Sequence, residues 1–485
     1  MIGGCYNLLN FRKGITINLV KIITRLIIRN YMHCEKCGVF AICGQYDEGI
    51  GLKLFNGLSA LQHRGQESAG VAIFSKETKL IKHYGLVKDV FVNYDNLAKF
   101  SGRMALGHVC YGQDRVIDNE IQPYVINSPK GQIYIAYNGC ITNYKELVSH
   151  LPIFAKESND NVTDIECIGK VFVNELLNGK DILVTLKLLL NTLKGAFCLI
   201  FIINETIFCI RDKYGFRPMC YGRTELGQYI FASESCALDA IGATFVREIR
   251  PGEIIFTNGT NITSNIENCE KAPYSFCSFE YLYFANKKSI INDNLVAKIR
   301  YDSGKILAMK SPISCDLVIG VPDSGIDAAK GFAKELGIPY KEGFVRNKKI
   351  QRTFIVPNQK KRQNLVQKKL TVIKEVVKDK EIVVVDDSIV RGTTVKQIVK
   401  LLRKAGAKKI HMRISSPKFI YSCPYGTDIG EKETLIAYNR TTEEISKIIG
   451  VDSLAYLETK DIDILVGRGY STICKACFNG KYPDE

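Results

Sequence analysis

No stretch of this sequence stays apolar and uncharged for long enough to cross a bilayer; the nearest approach, Ile15 to Ile28, is interrupted by Lys21 and Arg25. A membrane-spanning protein is therefore not expected. The short apolar core and small-residue cleavage site of a secreted chain are missing too. The 17 cysteines, an odd set scattered over 485 residues, thus read as thiols, catalytic groups or metal ligands of a reducing compartment. Internal repeats and low-complexity tracts are absent, which leaves two or three ordinary domains to account for the length. Acids are scarce relative to bases, 50 against 66. That surplus fits a polyanionic partner, whether nucleic acid, membrane or phosphorylated small molecule, and fits a solvated basic surface equally well.

Hydrophobic residues at 46% and charged residues at 24% are those of a globular protein. Residues 1–36 stand apart as a leader. Arg12, Lys13, Lys21, Arg25 and Arg29 precede any acid, and the last three, spaced by four, would form a basic stripe on a helix. An organellar targeting peptide, a removable leader without address, and upstream sequence ahead of a start at Met32 all remain open. From Cys37 to about Thr263, short β-rich runs such as Val71–Phe74, Phe197–Ile203 and Tyr229–Ala232 alternate with turns. Helical patterns interrupt them at Gly51–Gln62, Asp164–Asn178 and Ile182–Leu193. Asn258 to Pro273 is polar and turn-rich, as a linker would be. Beyond Phe279, apolar strands at Leu317–Val321 and Ile382–Val385 each precede a turn and a helix, Gly325–Leu336 and Thr394–Ala405. That alternation predicts a parallel sheet covered on both faces, with ligands at the carboxyl ends of its strands.

The most informative stretch is Val383 to Thr394. A buried strand ends in Asp386 and Asp387, acids able to hydrogen-bond vicinal hydroxyls directly or through Mg²⁺. A loop bearing hydroxyls and glycine follows at a helix start, where backbone N–H groups and the helix dipole favour a phosphate dianion. Helix capping alone would explain one acid and leave the second idle. This stretch resembles the ribose-phosphate loop of the type I phosphoribosyltransferases, and Val321-Pro322-Asp323-Ser324-Gly325 resembles the loop that receives pyrophosphate there. The resemblance implies that phosphoribosyl pyrophosphate is bound by Asp323, Ser324, Gly325, Arg352, Asp386, Asp387, Ser388, Arg391, Gly392, Thr393 and Thr394. It places Ser324, Asp386 and Asp387 around Mg²⁺. Between the two loops, the basic run Arg346 to Ile355 is placed to close over the leaving pyrophosphate and keep water from a cation-like ribosyl centre.

Cys37 opens the compact region. Freed of the leader, it would carry an α-amino group of ordinary pKa near ~8, close enough to neutrality to act as base for its own thiol. An ordinary buried thiol is the other reading. Gln62-His63-Arg64-Gly65-Gln66-Glu67-Ser68-Ala69-Gly70, Gly107-His108-Val109, Tyr137-Asn138-Gly139 and Thr163-Asp164 follow in the order and spacing of the N-terminal-nucleophile (Ntn) glutamine amidotransferases. That resemblance implies Cys37 as nucleophile, Asn138 and Gly139 as the oxyanion hole, and Arg64 and Asp164 as glutamine-binding residues, with Asp164 on the α-amino group. Further segments agree, among them Arg211 to Pro218, Ser233 to Leu238, Arg250 to Glu253 and Phe279 to Ala285. With both halves taken together, the chain from Cys37 to Pro483 resembles the glutamine phosphoribosylpyrophosphate amidotransferase family, which opens de novo purine synthesis.

The resemblance implies a mixed α/β and α+β fold, an Ntn hydrolase αββα sandwich followed by a type I phosphoribosyltransferase parallel-sheet domain. The boundaries drawn from it are 37–265 for the first, 266–455 for the second and 456–485 for a C-terminal tail. One departure stands out. Where the family places an arginine after Gly-His-Val to pair with the glutamine carboxylate, this sequence has Cys110, and the following Tyr111 to Val116 is unlike the family's loop. Loss of a bidentate partner weakens carboxylate binding; Arg115 is a candidate substitute. Lys349 and Gln351 stand where the closing loop commonly carries tyrosine and glycine.

Cys474-Lys475-Ala476-Cys477 is a CxxC pair open to redox, zinc or iron-sulfur readings. By resemblance to the iron-sulfur subgroup of the family, Cys277, Cys423, Cys474 and Cys477 fall at the four ligand positions of a 4Fe-4S cluster, with tetrahedral zinc as the chemical alternative. Implied partners are phosphoribosyl pyrophosphate, glutamine and inhibitory purine nucleotides, with a homotetramer as the assembly and neither nucleic acid nor membrane. The cytoplasm is the expected location, with organellar import if the leader is an address. Rival readings are an ammonia-dependent variant with impaired glutaminase, a nucleotide-binding sensor, and an Ntn hydrolase for another acyl substrate.

Overall fold

The computed structural model describes residues 37–91, 100–111, 121–150, 162–269, 274–347, 370–466 and 473–484. Residues 1–36, expected to be a leader, and Arg115, Lys349, Gln351 and Arg352 lie outside the described residues.

Along β1 (Gly38–Asp47), Val39, Ala41 and Cys43 alternate with Phe40 and Ile42, and both sets are buried, so the strand has apolar cover on each face. β2 (Ser68–Phe74), β3 (Lys79–Tyr84) and β4 (Gly102–Cys110) follow. β5 (Tyr124–Ser128), β6 (Gly131–Ile141), β7 (Gly195–Ile203) and β8 (Thr206–Arg211) form a second run. Then β9 (Cys220–Arg223), β10 (Tyr229–Ala232) and β11 (Thr244–Glu248) return to the first run, while β12 (Ile254–Thr257) and β13 (Ile262–Asn265) join the second. Two antiparallel sheets result, in the spatial orders 11-9-10-1-4-2-3 and 13-12-8-7-6-5. Val39, Ala41 and Leu106 of the first sheet meet Ala136, Ile200 and Ile255 of the second in one buried layer. The helix Ile50–Ala60 covers the outer face of the first sheet with Leu54 and Leu58. Asp164–Leu177 and Ile182–Thr192, capped by Thr163 and Asp181, cover the second with Phe172 and Leu186. The layers run helix, sheet, sheet, helix.

Asn258 to Pro273, expected to be a linker, instead contains β13, which pairs with β12 from Thr257↔Ile262 to Ile254↔Asn265. As an edge strand it keeps Thr263 and Ser264 exposed, and polar residues of that kind make it read as turn.

The second half begins with β14 (Phe276–Cys277), a π-helical turn at Glu280–Phe284 and a small hairpin of β15 (Ile290–Ile291) and β16 (Asn294–Leu295). The helix Val296–Lys310 leads to β17 (Leu317–Gly320) and the helix Gly325–Leu336. β18 (Phe344–Arg346) pairs with β19 (Leu370–Val372); β20 (Glu381–Asp386), the helix Thr393–Lys404, β21 (Lys409–Ile414) and β22 (Ser453–Tyr456) follow. β17, β20, β21 and β22 form a parallel sheet in that order. Val318, Val383 and Val385 pack on one face against Leu307, Phe332 and Ile462. Ile319, Ile382 and Val384 pack on the other against Ile398, Leu402 and Ile445. Both faces are covered, as continuous apolar strands require. Tyr456, expected to open the C-terminal tail, still belongs to β22. The chain then returns to the junction of the halves, where β23 (Ile473–Cys474) pairs in parallel with β14 and sets Cys474 opposite Cys277. No described helix is long and apolar enough to cross a membrane.

Candidate active site

β20 is a central strand of the parallel sheet and ends at Asp386, so the acidic pair sits at a carboxyl tip, where ligands of such sheets bind. Both acids are buried. Asp386 Oδ1 accepts the Asp387 N–H at 3.0 Å, and Asp387 accepts the hydroxyls of Ser324 and Ser388. Burial, and then the charge of Asp387, holds Asp386 well above the usual carboxylate range; burial raises Asp387 as well, against the two hydroxyls. Two acids disfavoured as neighbouring anions form a site that gains from a cation or from hydroxyl donors. The loop leaves through Gly392, whose φ of 75° is left-handed and where a Cβ would stand 2.3 Å from Ile436 Cδ1. The helix Thr393–Lys404 starts there, with its first N–H groups toward the loop. A cavity of about 230 Å³ lies against Ser324 and Asp386 to Thr394. Tyr111 of the first half and Phe279, Tyr283 and Phe284 of the π-helical turn form its apolar wall. Asp323, beside it, is paired with Arg346, the first residue of the basic run.

Gly325 begins its helix directly behind β20. A Cβ there would stand 2.5 Å from the Val385 carbonyl oxygen, so the pyrophosphate-type loop reaches the acidic pair only with glycine at that position.

In the first half, Cys37 is fully buried at the start of β1. Its N–H donates to Asn138 Oδ1 and its C=O accepts from Arg64 Nε, both at 3.0 Å. Asn138 Nδ2 is buried and makes no hydrogen bond, a donor held ready beside the thiol residue. At Gly139 a Cβ would stand 2.0 Å from the Ala196 carbonyl oxygen. Asp164 Oδ2 accepts from Tyr137 Oη at 3.1 Å and from the Ile141 N–H at 3.0 Å.

Arg64, expected among the glutamine-binding residues, is placed otherwise. It is 1% exposed, and its guanidinium donates to Glu280 at 2.9 and 3.0 Å, to Glu234 at 2.5 Å and to the Cys37 carbonyl. With those bonds made it faces protein carboxylates rather than a ligand, and it fixes the backbone of Cys37. Glu234, also bound to His63 at 2.7 Å, is held below the usual range despite its burial. Cys110 is buried with Cys37 and Ile121 in one small cluster. The residue standing where the resemblance expects an arginine thus packs on the proposed nucleophile.

The four cysteines of the tail and junction are carried by adjoining segments. Cys474 lies opposite Cys277 on paired strands; Cys423 packs beside Cys474, and Cys277, Cys423 and Cys477 pack in one core cluster. The Ile420 and Tyr421 N–H groups donate to the Cys477 carbonyl at 3.0 and 3.2 Å, tying the segment before Cys423 to the tail. Among the described residues, no three His, Cys, Asp or Glu side chains are already drawn together closely enough to hold a metal ion.

Sequence reasoning gave no role to Glu234, Glu280 and Tyr137, though each lies in a quoted motif, and passed over Gln122. Glu280 had a signal, being the one acid within the aromatic run Phe279 to Phe284. Gln122 had none.

A family model described as a glutamine amidotransferase domain matches residues 113–240, and one described as a phosphoribosyl transferase domain matches residues 289–416. The sequence is 42% identical over 466 residues to the amidophosphoribosyltransferase of Methanocaldococcus jannaschii, covering 93% of this chain and 98% of that protein. It is 42% identical over 455 residues to the amidophosphoribosyltransferase of a Synechocystis species, covering 93% and 91%. Among solved structures, the glutamine phosphoribosylpyrophosphate amidotransferase from B. subtilis complexed with ADP and GMP matches with a TM-score of 0.83 at 37% identity, covering 92% of this chain and 97% of that one.

Proposed function

The chain belongs to the amidophosphoribosyltransferase family, and from that premise we propose that Cys37 opens glutamine while the loop Asp386–Thr394 presents the phosphoribosyl donor. The family reaction takes phosphoribosyl pyrophosphate, glutamine and water to 5-phosphoribosylamine, glutamate and pyrophosphate, the first step of de novo purine synthesis.

In this reading the Cys37 thiolate attacks the glutamine amide carbon, and Asn138 Nδ2 and the Gly139 N–H donate to the oxygen that gains charge. Removal of residues 1–36 would free the Cys37 nitrogen to take the thiol proton and pass it to the departing ammonia. Asp164 receives the substrate's α-amino group. Water hydrolyses the resulting thioester to glutamate, and ammonia crosses to the second half before it can protonate in bulk solvent. Asp386 and Asp387 hold the ribose hydroxyls, Ser388 to Thr394 hold the 5-phosphate, and the pyrophosphate rests toward Ser324 and Gly325. Ammonia then attacks C1 from the side opposite the leaving pyrophosphate. Mg²⁺, which accompanies phosphoribosyl pyrophosphate in this family, would be held by Ser324, Asp386 and Asp387 and would neutralise the leaving charge.

The observation that carries the reading is the buried acidic pair at the tip of β20, opening onto the phosphate-type loop. The test is pyrophosphate release with ammonium as donor. Asp386→Asn with Asp387→Asn is expected to reduce it by roughly 10³-fold or more, and turnover left intact would end the proposal.

A second reading, an ammonia-dependent enzyme with a weakened glutaminase, is favoured by one observation: Cys110 packs on Cys37 where a carboxylate-binding arginine is expected.

Cys277, Cys423, Cys474 and Cys477 are proposed to hold a 4Fe-4S cluster that ties the tail to the junction, a reading supported by Cys277 and Cys474 standing opposite each other on paired strands, with the segments of Cys423 and Cys477 packed at the same junction. Iron and acid-labile sulfide in anaerobically purified protein are the check, and zinc without sulfide would replace the cluster by a zinc site. Purine nucleotides are the proposed regulators, since the B. subtilis structure is complexed with ADP and GMP. A homotetramer is the proposed assembly, and the cytoplasm the proposed location, with the leader as a candidate import signal.

A further inference from the structure

β6 carries Asn138 and Gly139, and its edge changes character just before them. β5 pairs with β6 only from Ser128↔Gly131 to Tyr124↔Ile135, so beyond Ile135 that ladder has ended. Along an antiparallel strand, the N–H and C=O of alternate residues point to the same side. The Thr142 N–H crosses to Lys194 O, beside the start of β7, at 2.9 Å, which sets the even residues toward β7. The Tyr137 and Ile141 N–H groups turn the other way, to Gln122 Oε1 at 2.6 Å and Asp164 Oδ2 at 3.0 Å. Gly139 lies between these two in the same alternation, so its N–H turns to that side as well.

His108 reaches from β4, in the facing sheet, to the same place. It is fully buried, and its Nε2 is 3.0 Å from the Tyr137 carbonyl oxygen. A carbonyl only accepts, so Nε2 carries the proton, and Nδ1, left as an acceptor, has no hydrogen-bond partner. Burial lowers the pKa to about 3, so the ring is neutral and the tautomer is fixed. Gln122 and His108 therefore grip the N–H and the C=O of one residue beyond the last β5 pair, directly before the two groups assigned to the oxyanion. An apolar side chain would fill the His108 site without leaving a buried nitrogen unpaired, so packing alone does not account for histidine there.

We infer that His108 and Gln122 are positioning residues for the oxyanion hole, holding the peptide units on either side of Tyr137 so that Asn138 Nδ2 and the Gly139 N–H meet the tetrahedral intermediate. Neither side chain touches substrate; each acts through the β6 backbone. The inference rests on the reading of Cys37 as a glutaminase nucleophile.

The test is steady-state glutamate formation from glutamine, with phosphoribosyl pyrophosphate present, and pyrophosphate release from ammonium measured in parallel. His108→Leu should lower kcat for glutamate formation roughly 10- to 100-fold and leave KM for glutamine nearly unchanged, because the donors act on the transition state. His108→Gln, whose amide can donate to the same carbonyl, should restore most of that kcat. Gln122→Leu should repeat the His108→Leu pattern and decides the matter if His108→Leu does not accumulate folded. The ammonium-dependent rate should stay at the wild-type level in all three. Wild-type kcat in both leucine variants, equal losses in His108→Leu and His108→Gln, or a parallel fall in the ammonium-dependent rate would each overturn the inference. A wild-type protein that makes no glutamate would instead remove the glutaminase reading on which it stands.

Discussion

Cys110 lies one step beyond the Gly38↔Val109 pair of the β1–β4 ladder, across from Cys37, and the two share a buried cluster with Ile121. Sequence alone located this departure, because it falls inside a motif whose neighbours are intact. It did not reveal the company Cys110 keeps. The same limit governs Arg64: its partner Glu280 is 216 residues away, so no local pattern could tell a ligand-binding arginine from one committed to two buried acids. A charge-assisted bidentate pair contributes about 1.5–3 kcal/mol, or roughly 10- to 100-fold in affinity. Cys110→Arg is therefore expected to lower KM for glutamine roughly tenfold or more while leaving the ammonium-dependent rate as it was. An unchanged KM in glutamate assays would mean that another group already binds the substrate carboxylate.

Between elements, the decisive fit is that of the helix Gly325–Leu336 against β20. β20, its loop and the helix Thr393–Lys404 follow one another directly in sequence, so their order and the acidic pair were legible from pattern alone. The helix bounds Gly325 and Leu336 agree with the sequence reading at both ends. β13 was not legible, since an edge strand of Ile-Thr-Ser-Asn has neither the run nor the alternation that marks a buried one. The closeness of Gly325 to Val385 was hidden as well, because it joins a helix start to a strand end through space. Gly325→Ala pushes a methyl group to 2.5 Å from a backbone oxygen. The helix start must move off the acidic pair, at about 1–3 kcal/mol of stability. KM for phosphoribosyl pyrophosphate should rise and the urea midpoint should fall, whereas glutamate formation without phosphoribosyl pyrophosphate should be spared. A variant with unchanged KM would show that the two loops do not share one ligand.

Over the whole molecule, Arg64 and Glu280 join the halves through the interior. Arg64 holds the Cys37 carbonyl, and Glu280 belongs to the π-helical turn whose Tyr283 and Phe284 wall the cavity at Asp386 to Thr394. Tyr111 of the first half lines that same cavity. The proposed nucleophile and the proposed ribosyl site are thus parts of one packed body, and nitrogen freed at one is meant for the other. The most direct measurement is the ratio of glutamate to pyrophosphate with glutamine as the sole nitrogen donor. One glutamate per pyrophosphate is the predicted result. With phosphoribosyl pyrophosphate present, glutamate formed without matching pyrophosphate, or pyrophosphate released only when ammonium is supplied, would contradict it.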